Sequence, residues 1–270
     1  MPLAVECENI KSLRRTRCVI LLQLAFACCF RADWKAAQTE LQRARSLIEV
    51  TGDTSGMLKI TLQYLQGTIQ HGLGRLEDAI QSYQSPIMEL DLRETNVLSP
   101  IKILCILARL NTLLIVHSPN HPQHSLVPGL LEQLRHYFPA NNLNGGQAAF
   151  VSAQYSDLTS AFSFVMAVLQ QDREALSHTS NDTVAKNIVA SKQALHAALN
   201  AAQKASNPLL MALCLSYMHH LFFGGIYDEQ SLKIAQAGGV QAQEAGNQMW
   251  ADVAKNKLNQ FKGQRRPQGS

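Results

Sequence analysis

Apolar side chains recur every three or four residues along most of the chain, and no stretch alternates apolar and polar residues with a period of two. A spacing near 3.6 residues is typical of amphipathic α-helices, whereas strict alternation indicates strands. The sequence therefore predicts an all-α protein of about eleven helices. The predicted helices cover residues 8–31, 33–50, 55–70, 75–90, 100–117, 123–138, 147–170, 182–205, 208–223, 228–245 and 248–261.

Several predicted helices have marked ends. Ser99 and Asn207 each precede a proline. Serine and asparagine are good helix caps, and proline is favoured at the first helical position because its missing N–H would have no partner there. Gly72 and Gly74 fall where the third helix should end. The helices are therefore joined by short turns.

One spacing of side chains occurs twice. In "LQYLQGTIQHGLGRLEDAIQSY", Gly67 is followed at fixed distances by Ala79 and Tyr83. The same small, alanine and large residues occur 42 positions earlier, and the spacing is that of a tetratricopeptide repeat. With one further equivalent position in each copy, the predicted packing residues are Ala25, Trp34, Ala37, Leu41, Gly67, Leu76, Ala79 and Tyr83.

This repeat predicts the architecture, a right-handed α-solenoid of tetratricopeptide-like antiparallel helical hairpins. We expect a single domain over residues 1–262 and a disordered basic tail over residues 263–270. Gly67 should allow two helices to cross closely near Ala79, so Gly67→Leu should destabilise the fold and Gly56→Ala should be nearly neutral. The alternative is that Gly67 is an incidental surface glycine.

The first helix of each hairpin in such a solenoid lines the concave surface, which holds extended partners. Counting along the helical face gives eight candidate groove residues: Val19, Leu22, Phe26, Cys29, Thr61, Tyr64, Thr68 and His71. Apolar residues at helical spacing are usually core, so Leu22 and Phe26 can equally be interpreted as packing residues.

Composition narrows the functional classes. Of 270 residues, 46% are apolar, which is enough to form a hydrophobic core. Charged residues make up 16%, and the net charge of +4 is lower than that of a dedicated nucleic-acid-binding protein. The six cysteines form no CxxC pair and no disulfide framework, so a reducing intracellular compartment is expected. Arg14, Arg15 and Arg17 before the apolar run 18–30 resemble a signal peptide. The run is too short to span a membrane, and an amphipathic repeat helix is the favoured interpretation.

The chain offers little catalytic chemistry. The GxSxG, GxxxxGK[ST] and HExxH motifs are absent, so no catalytic, cofactor-binding or metal-binding residue is predicted. His117, His121 and His124 could hold a metal, but histidines beside prolines without acidic or cysteine partners more often cap or face solvent. The basic residues near the C-terminus favour a solvated surface over phosphate binding; they are Lys255, Lys257, Lys262, Arg265 and Arg266.

A family resemblance rests on several segments taken in order. They are "SLRRTRCVILLQLAFACCFRADWKAAQTEL", "LQYLQGTIQHGLGRLEDAIQSYQSPI", "HPQHSLVPGLLEQL", "ALHAALNAAQKASNPLLMALCLSYMHHLFFGG" and "EQSLKIAQA". Together they resemble the later part of fungal cohesin loading factors, the tetratricopeptide-type subunit of the cohesin loader. The resemblance extends over residues 11–258, although its motifs are diffuse helical-repeat patterns.

The resemblance implies a nuclear, chromatin-associated scaffold without catalytic activity. Its partner would be the large HEAT-repeat subunit of the loader, whose extended N-terminal segment such proteins enclose. Cohesin and chromatin would be indirect partners in loading for sister-chromatid cohesion, and neither a membrane nor a small-molecule substrate is expected. No contact residue can be transferred by motif. A generic helical-repeat adaptor in another intracellular complex is the alternative, and an enzyme with a helical-bundle site is a third.

The start of the chain departs from the family. A family member would be well inside its solenoid at this point, which implies that upstream repeats are missing. The apolar helix over residues 18–30 would then lack a cover. We therefore expect the isolated chain to self-associate unless upstream repeats or the large subunit's N-terminal segment cover that end.

Overall fold

A computed structural model describes residues 2–51, 56–92, 100–116, 125–137, 181–223 and 228–264. These residues form ten α-helices and no strand, which confirms the all-α prediction for this part of the chain. The helices are α1 Pro2–Phe30, α2 Trp34–Thr51, α3 Met57–Gly72, α4 Leu76–Leu92, α5 Pro100–Val116, α6 Val127–Tyr137, α7 Asn181–Lys204, α8 Pro208–Phe223, α9 Glu229–Glu244 and α10 Gln248–Gln264.

Most predicted boundaries lie within two residues of the observed ones. The largest shifts are at α1, which begins six residues early, and at α6, whose first turn places Pro128 where a missing N–H is tolerated. The predicted helix over 147–170 lies outside the described residues. Gly263 and Gln264, at the start of the predicted tail, are helical, and residues 265–270 also lie outside.

Four pairs of helices are joined by the same three-residue turn. The turns are 31–33, 73–75, 205–207 and 245–247, and the middle residue of each has a positive φ, at Ala32, Gly74, Ser206 and Gly246. In every turn the third residue donates its N–H to the carbonyl five residues back, as Asp33 does to Cys28 at 2.9 Å. The middle residue donates to the carbonyl three residues back. This is the Schellman arrangement, which satisfies the last carbonyls of a helix.

The third residue of the turn also begins the next helix. Asp33, Asn207 and Asn247 each accept a hydrogen bond at 3.1 Å on a side-chain oxygen from the N–H three residues later. Asx side chains are the preferred acceptors at this position because they satisfy an otherwise unpaired N–H of the first turn. A single short segment thus ends one helix and starts the next.

Ala32 provides a test of this turn. Its φ of 60° lies in the left-handed region, where the Cβ of an L-residue is crowded and glycine is not. We expect Ala32→Gly to raise the free energy of unfolding by about 0.5–1 kcal/mol, measured by urea titration. Ala36→Gly, at the third residue of α2, is the control and should lower stability, by somewhat less than the roughly 1 kcal/mol that glycine costs in a helix interior. Equal losses for both variants would contradict the turn geometry.

Backbone contacts divide the chain into two compact units, residues 1–116 and 117–270. The expectation of one domain over 1–262 stays a prediction. In the first unit each helix packs on the next, and α3 additionally contacts α1 and α5. Its main buried cluster combines residues of α1, α2 and α3: Cys18, Leu22, Ala25, Cys29, Ala37, Leu41, Ala44, Leu62, Leu65 and Ile69.

Gly67 lies at a close approach between α3 and α4. A Cβ at this position would lie 2.6 Å from Cε1 of Tyr83, closer than side chains tolerate. The contact is therefore with the tyrosine ring, one turn further along α4 than Ala79. Ala25, Ala37, Ala79, Leu41 and Tyr83 are all at most 2% exposed.

Two other glycines differ from their expected roles. Gly72 ends α3, and a Cβ there would overlap the indole ring of Trp34, so this glycine also makes room for a neighbouring side chain. Gly56 is buried and has a φ of 68°. The expectation that Gly56→Ala is nearly neutral is therefore wrong, because alanine is strained at that φ.

The second unit contains α6 to α10. Within it, α7 packs on α8, α8 on α9, and α9 on α10, and α8 also contacts α10. A buried cluster joins Leu195 and Ala198 of α7 to Cys214 and Met218 of α8. Small residues bring α9 close to its neighbours, since a Cβ on Gly239 would lie 3.2 Å from that of Ala254 in α10.

Candidate partner-binding surface

Helix α3 has neighbours on most of its circumference. Gly67 faces Tyr83 of α4, Gln66 accepts a hydrogen bond from Arg45 of α2 at 3.2 Å, and His71 bonds to α5. Leu62, Leu65 and Ile69 complete the cluster with α1 and α2. At 100° per residue these positions leave one sector of α3 open, between α1 and α5.

Thr61 and Thr68 lie in this open sector. Both are half-buried, and their hydroxyls donate to carbonyls of their own helix, at 2.9 Å to Met57 and at 3.0 Å to Tyr64. Each hydroxyl oxygen has two acceptor lone pairs, of which the Tyr83 hydroxyl uses one on Thr68, so both threonines can still accept an N–H donor from an incoming backbone.

Helix α1 presents two exposed apolar side chains beside this sector. Val19 is 37% and Phe26 50% exposed. Helical spacing places both on the flank of α1 that adjoins α3 and lies away from Cys18, whose thiol donates to the Ala44 carbonyl of α2 at 3.8 Å. We use the name inner face for the surface formed by Val19, Phe26, Thr61 and Thr68.

Leu22 and Cys29 require a correction. They are 4% and 7% exposed and belong to the buried cluster, because they lie on the side of α1 that packs against α2 and α3. A partner cannot reach them without repacking the core. They are therefore packing residues. Phe26 could equally have been a packing residue on the sequence evidence, but it is exposed.

Tyr64 connects the inner face to the interior. Its ring lies 6.1 Å from that of Tyr83 at a tilt of 45°, and the Tyr83 hydroxyl donates to Thr68 at 3.4 Å. Burial raises the pKa of both phenols well above its usual range. Burial also raises the pKa of the Cys29 and Cys105 thiols to about 12, so both thiols stay protonated at neutral pH.

His71 links α3 to α5 through Thr112. The Thr112 hydroxyl donates to the Ala108 carbonyl at 2.7 Å, so the hydrogen bond of 2.8 Å to His71 must be donated by Nδ1. Burial lowers the pKa of His71 below its ordinary value of 6.5. The imidazole is therefore neutral in the folded chain at pH 7.

This shift makes the first unit sensitive to acid. A histidine whose pKa is lowered by folding takes up its proton more readily in the unfolded chain, so stability is lost as the pH falls below the ordinary value. We expect the free energy of urea unfolding to decrease from pH 7 to pH 5, and His71→Gln to reduce that decrease. His196→Gln, at an exposed site in the second unit, is the control. An unchanged pH dependence in His71→Gln would contradict this role.

The structure also shows polar pairs that the sequence analysis missed. Gln63 donates to Ser85 at 3.0 Å, and Gln70 accepts from Ser82 at 2.6 Å, which joins α3 to α4. The signal was the recurrence of glutamine at positions 63, 66 and 70, a helical spacing on one side of α3. These side chains hold the helices in register and leave the inner face free of them.

Arg109 of α5 is the most buried arginine side chain that the structure describes, at 7% exposure. It donates to Gln84 at 3.1 Å, and its Nε has no hydrogen-bond partner within the described part of the chain. Burial lowers its pKa. Arg109 therefore links α5 to α4 through the neutral side-chain amide of Gln84.

The remaining sequence candidates do not converge. His117, His121 and His124 lie outside the described residues. Among residues that the structure does describe, no group of three histidine, cysteine or acidic side chains could hold a metal. Lys255 is exposed, and Lys257 is half-buried with its ammonium donating to the carbonyl and hydroxyl of Ser216.

No helix within the described ranges is both long and apolar enough to cross a lipid bilayer.

The fold and this surface define an all-helical protein with stacked helices. Comparison with protein families matches the chain to the cohesin loading factor family over residues 1–266. The chain belongs to the cohesin loading factor family, which supports a role in cohesin loading, sister-chromatid cohesion and chromosome segregation. Neither the curated proteins nor the solved structures gave a match.

Proposed function

We propose that the chain is a non-catalytic scaffold subunit of the cohesin-loading complex and acts in the nucleus. Its partner is the large HEAT-repeat subunit of the loader, whose extended N-terminal segment binds along the inner face. The observation that carries the proposal is family membership over residues 1–266. Cohesin and chromatin are engaged through that partner.

Three features of the inner face suit an extended peptide. Val19 and Phe26 offer apolar surface for side chains of the segment. Thr61 and Thr68 offer hydroxyl oxygens to its backbone N–H groups. The contacts of α3 with both α1 and α5 align these helices side by side, which gives a surface that a segment can follow across several helices.

Affinity purification of the tagged chain from its native cells tests this proposal. The expected result is co-purification of a large HEAT-repeat protein together with cohesin subunits. This co-purification should persist after the lysate is treated with nuclease. Recovery of a different intracellular assembly without these proteins would instead support the generic adaptor. Fractionation of the same cells should place the chain with chromatin.

A further inference from the structure

The beginning of α1 extends beyond its neighbours. Every residue from Asn9 to Arg17 is exposed, so none of the helices that the structure describes covers this stretch. At about 1.5 Å per residue, the 29 residues of α1 are longer than the 18 of α2 by about 16 Å. An isolated helical stretch of this length is marginal in water, so its stability calls for a further packing partner.

An apolar stripe runs along this helix on the side opposite the core. Its members, Ile10, Leu13, Ile20 and Leu24, are between 47% and 69% exposed. With Arg17 between Leu13 and Ile20, the positions alternate in steps of three and four, the spacing at which one helix packs lengthwise on another. We call these five residues the outer stripe.

The charge near the outer stripe has one sign. Lys11, Arg14, Arg15 and Arg17 are exposed, and no acidic residue occurs from position 9 to position 32. A second copy of the chain, packed in either direction about the centre of the stripe, would bring Arg17 against Arg17. Like charges at a helical seam are repulsive, whereas glutamate opposite Arg17 would be attractive. The self-association expected from the sequence at this end is therefore disfavoured along the outer stripe.

We propose that the outer stripe docks an acidic amphipathic helix of a partner protein, with apolar residues along its seam and carboxylates that face Arg14 and Arg17. Duplex DNA is the less suitable occupant, because four exposed aliphatic side chains have no role against a phosphate backbone. The outer stripe lies on a different face of α1 from Phe26, so this inference is independent of binding at the inner face.

Fluorescence anisotropy with the full chain and labelled probes tests the proposal. The probe is a synthetic three-heptad peptide with leucine at the seam positions and glutamate at the flanking positions. A peptide with the same leucines and lysine in place of glutamate is the control. We expect the acidic peptide to bind about tenfold more tightly than the basic one, with binding weakened by salt.

Variants locate the binding. Leu24→Glu and Arg17→Glu should each lower the affinity for the acidic peptide about tenfold. Phe26→Glu, on the other flank of α1, should leave that affinity unchanged. Circular dichroism of each variant checks that the fold is retained. Equal affinity for the two peptides, or full binding by Leu24→Glu, would overturn the proposal. So would tighter binding of a 20-base-pair duplex, or a doubling of mass in light scattering that Leu24→Glu abolishes, since these identify DNA or a second copy as the occupant.

Discussion

Replacing Gly67 by leucine is expected to lower the free energy of unfolding by about 1–3 kcal/mol. Even the first carbon of the new side chain would lie 2.6 Å from the Tyr83 ring, and that ring is only 2% exposed, so it cannot turn outward without repacking its neighbours. Urea titration followed by circular dichroism measures the change. Gly129→Leu is the matched control, because a Cβ there meets nothing within 4 Å.

A double-mutant cycle assigns the loss to this contact. Tyr83→Ala alone should cost about 3–5 kcal/mol, as expected when a buried aromatic side chain is truncated. In Gly67→Leu/Tyr83→Ala the leucine occupies part of the vacated volume, so the combined loss should be smaller than the sum. Strict additivity would show that Gly67 and Tyr83 do not meet and would remove the structural basis for the repeat register.

Replacing Phe26 by glutamate is expected to weaken binding of the large subunit's N-terminal segment by about thirtyfold or more. Phe26 is the largest exposed apolar side chain of the inner face, and exposed aromatic residues at the centre of an interface carry much of its binding energy. A carboxylate there would also have to be desolvated. Isothermal titration calorimetry with the purified segment measures the affinity.

Leu24→Glu is the control for this variant. Leu24 lies on the same helix with nearly the same exposure, 47% against 50%, but on the outer stripe. The affinity of the Leu24→Glu variant for the segment should equal that of the unsubstituted chain. Equal weakening by both substitutions would indicate a general defect of α1 and would count against the inner face as the binding surface.

Helix positions could be predicted from the sequence because apolar spacing and capping residues act locally. The sequence predicts helix starts at Pro100, Pro208 and Gln248, and a helix begins at each of these residues. The close approach at Gly67 was also predictable, since its cost in a helix requires a reason. The predicted contact of Gly67 was near Ala79, whereas the observed contact is with Tyr83, one turn further along α4. Which of the two residues meets Gly67 depends on how α3 and α4 cross, and spacing in the sequence does not determine that.

The turns that recur in the second unit could not be predicted from side-chain size. The positions there that correspond to Gly67 and Tyr83 include Leu199 and Lys255, which replace a small and a large apolar residue. What the four pairs share is backbone conformation in the turn, with Ser206 and Gly246 at the positive φ. A glycine in a sequence indicates that a positive φ is possible, whereas an alanine or a serine gives no such indication.

The candidate groove was predictable only in part. Counting along a helix places Leu22 and Phe26 on neighbouring parts of the surface of α1, and the position of α3 decides which of them is buried. Leu22 joins the core that α1 shares with α2 and α3, whereas Phe26 is exposed. The link from His71 to Thr112 joins residues 41 positions apart and left no local signal.

Hydrogen–deuterium exchange on the full chain, with and without the N-terminal segment of the large HEAT-repeat subunit, tests the proposed function most directly. The measurement reports which backbone amides gain protection when the segment binds. We expect added protection in α1 from residue 19 to residue 30, in α3 and in α5, with little change in α2. Protection confined to α2 and α4, or no complex at micromolar concentrations of both components, would contradict binding at the inner face.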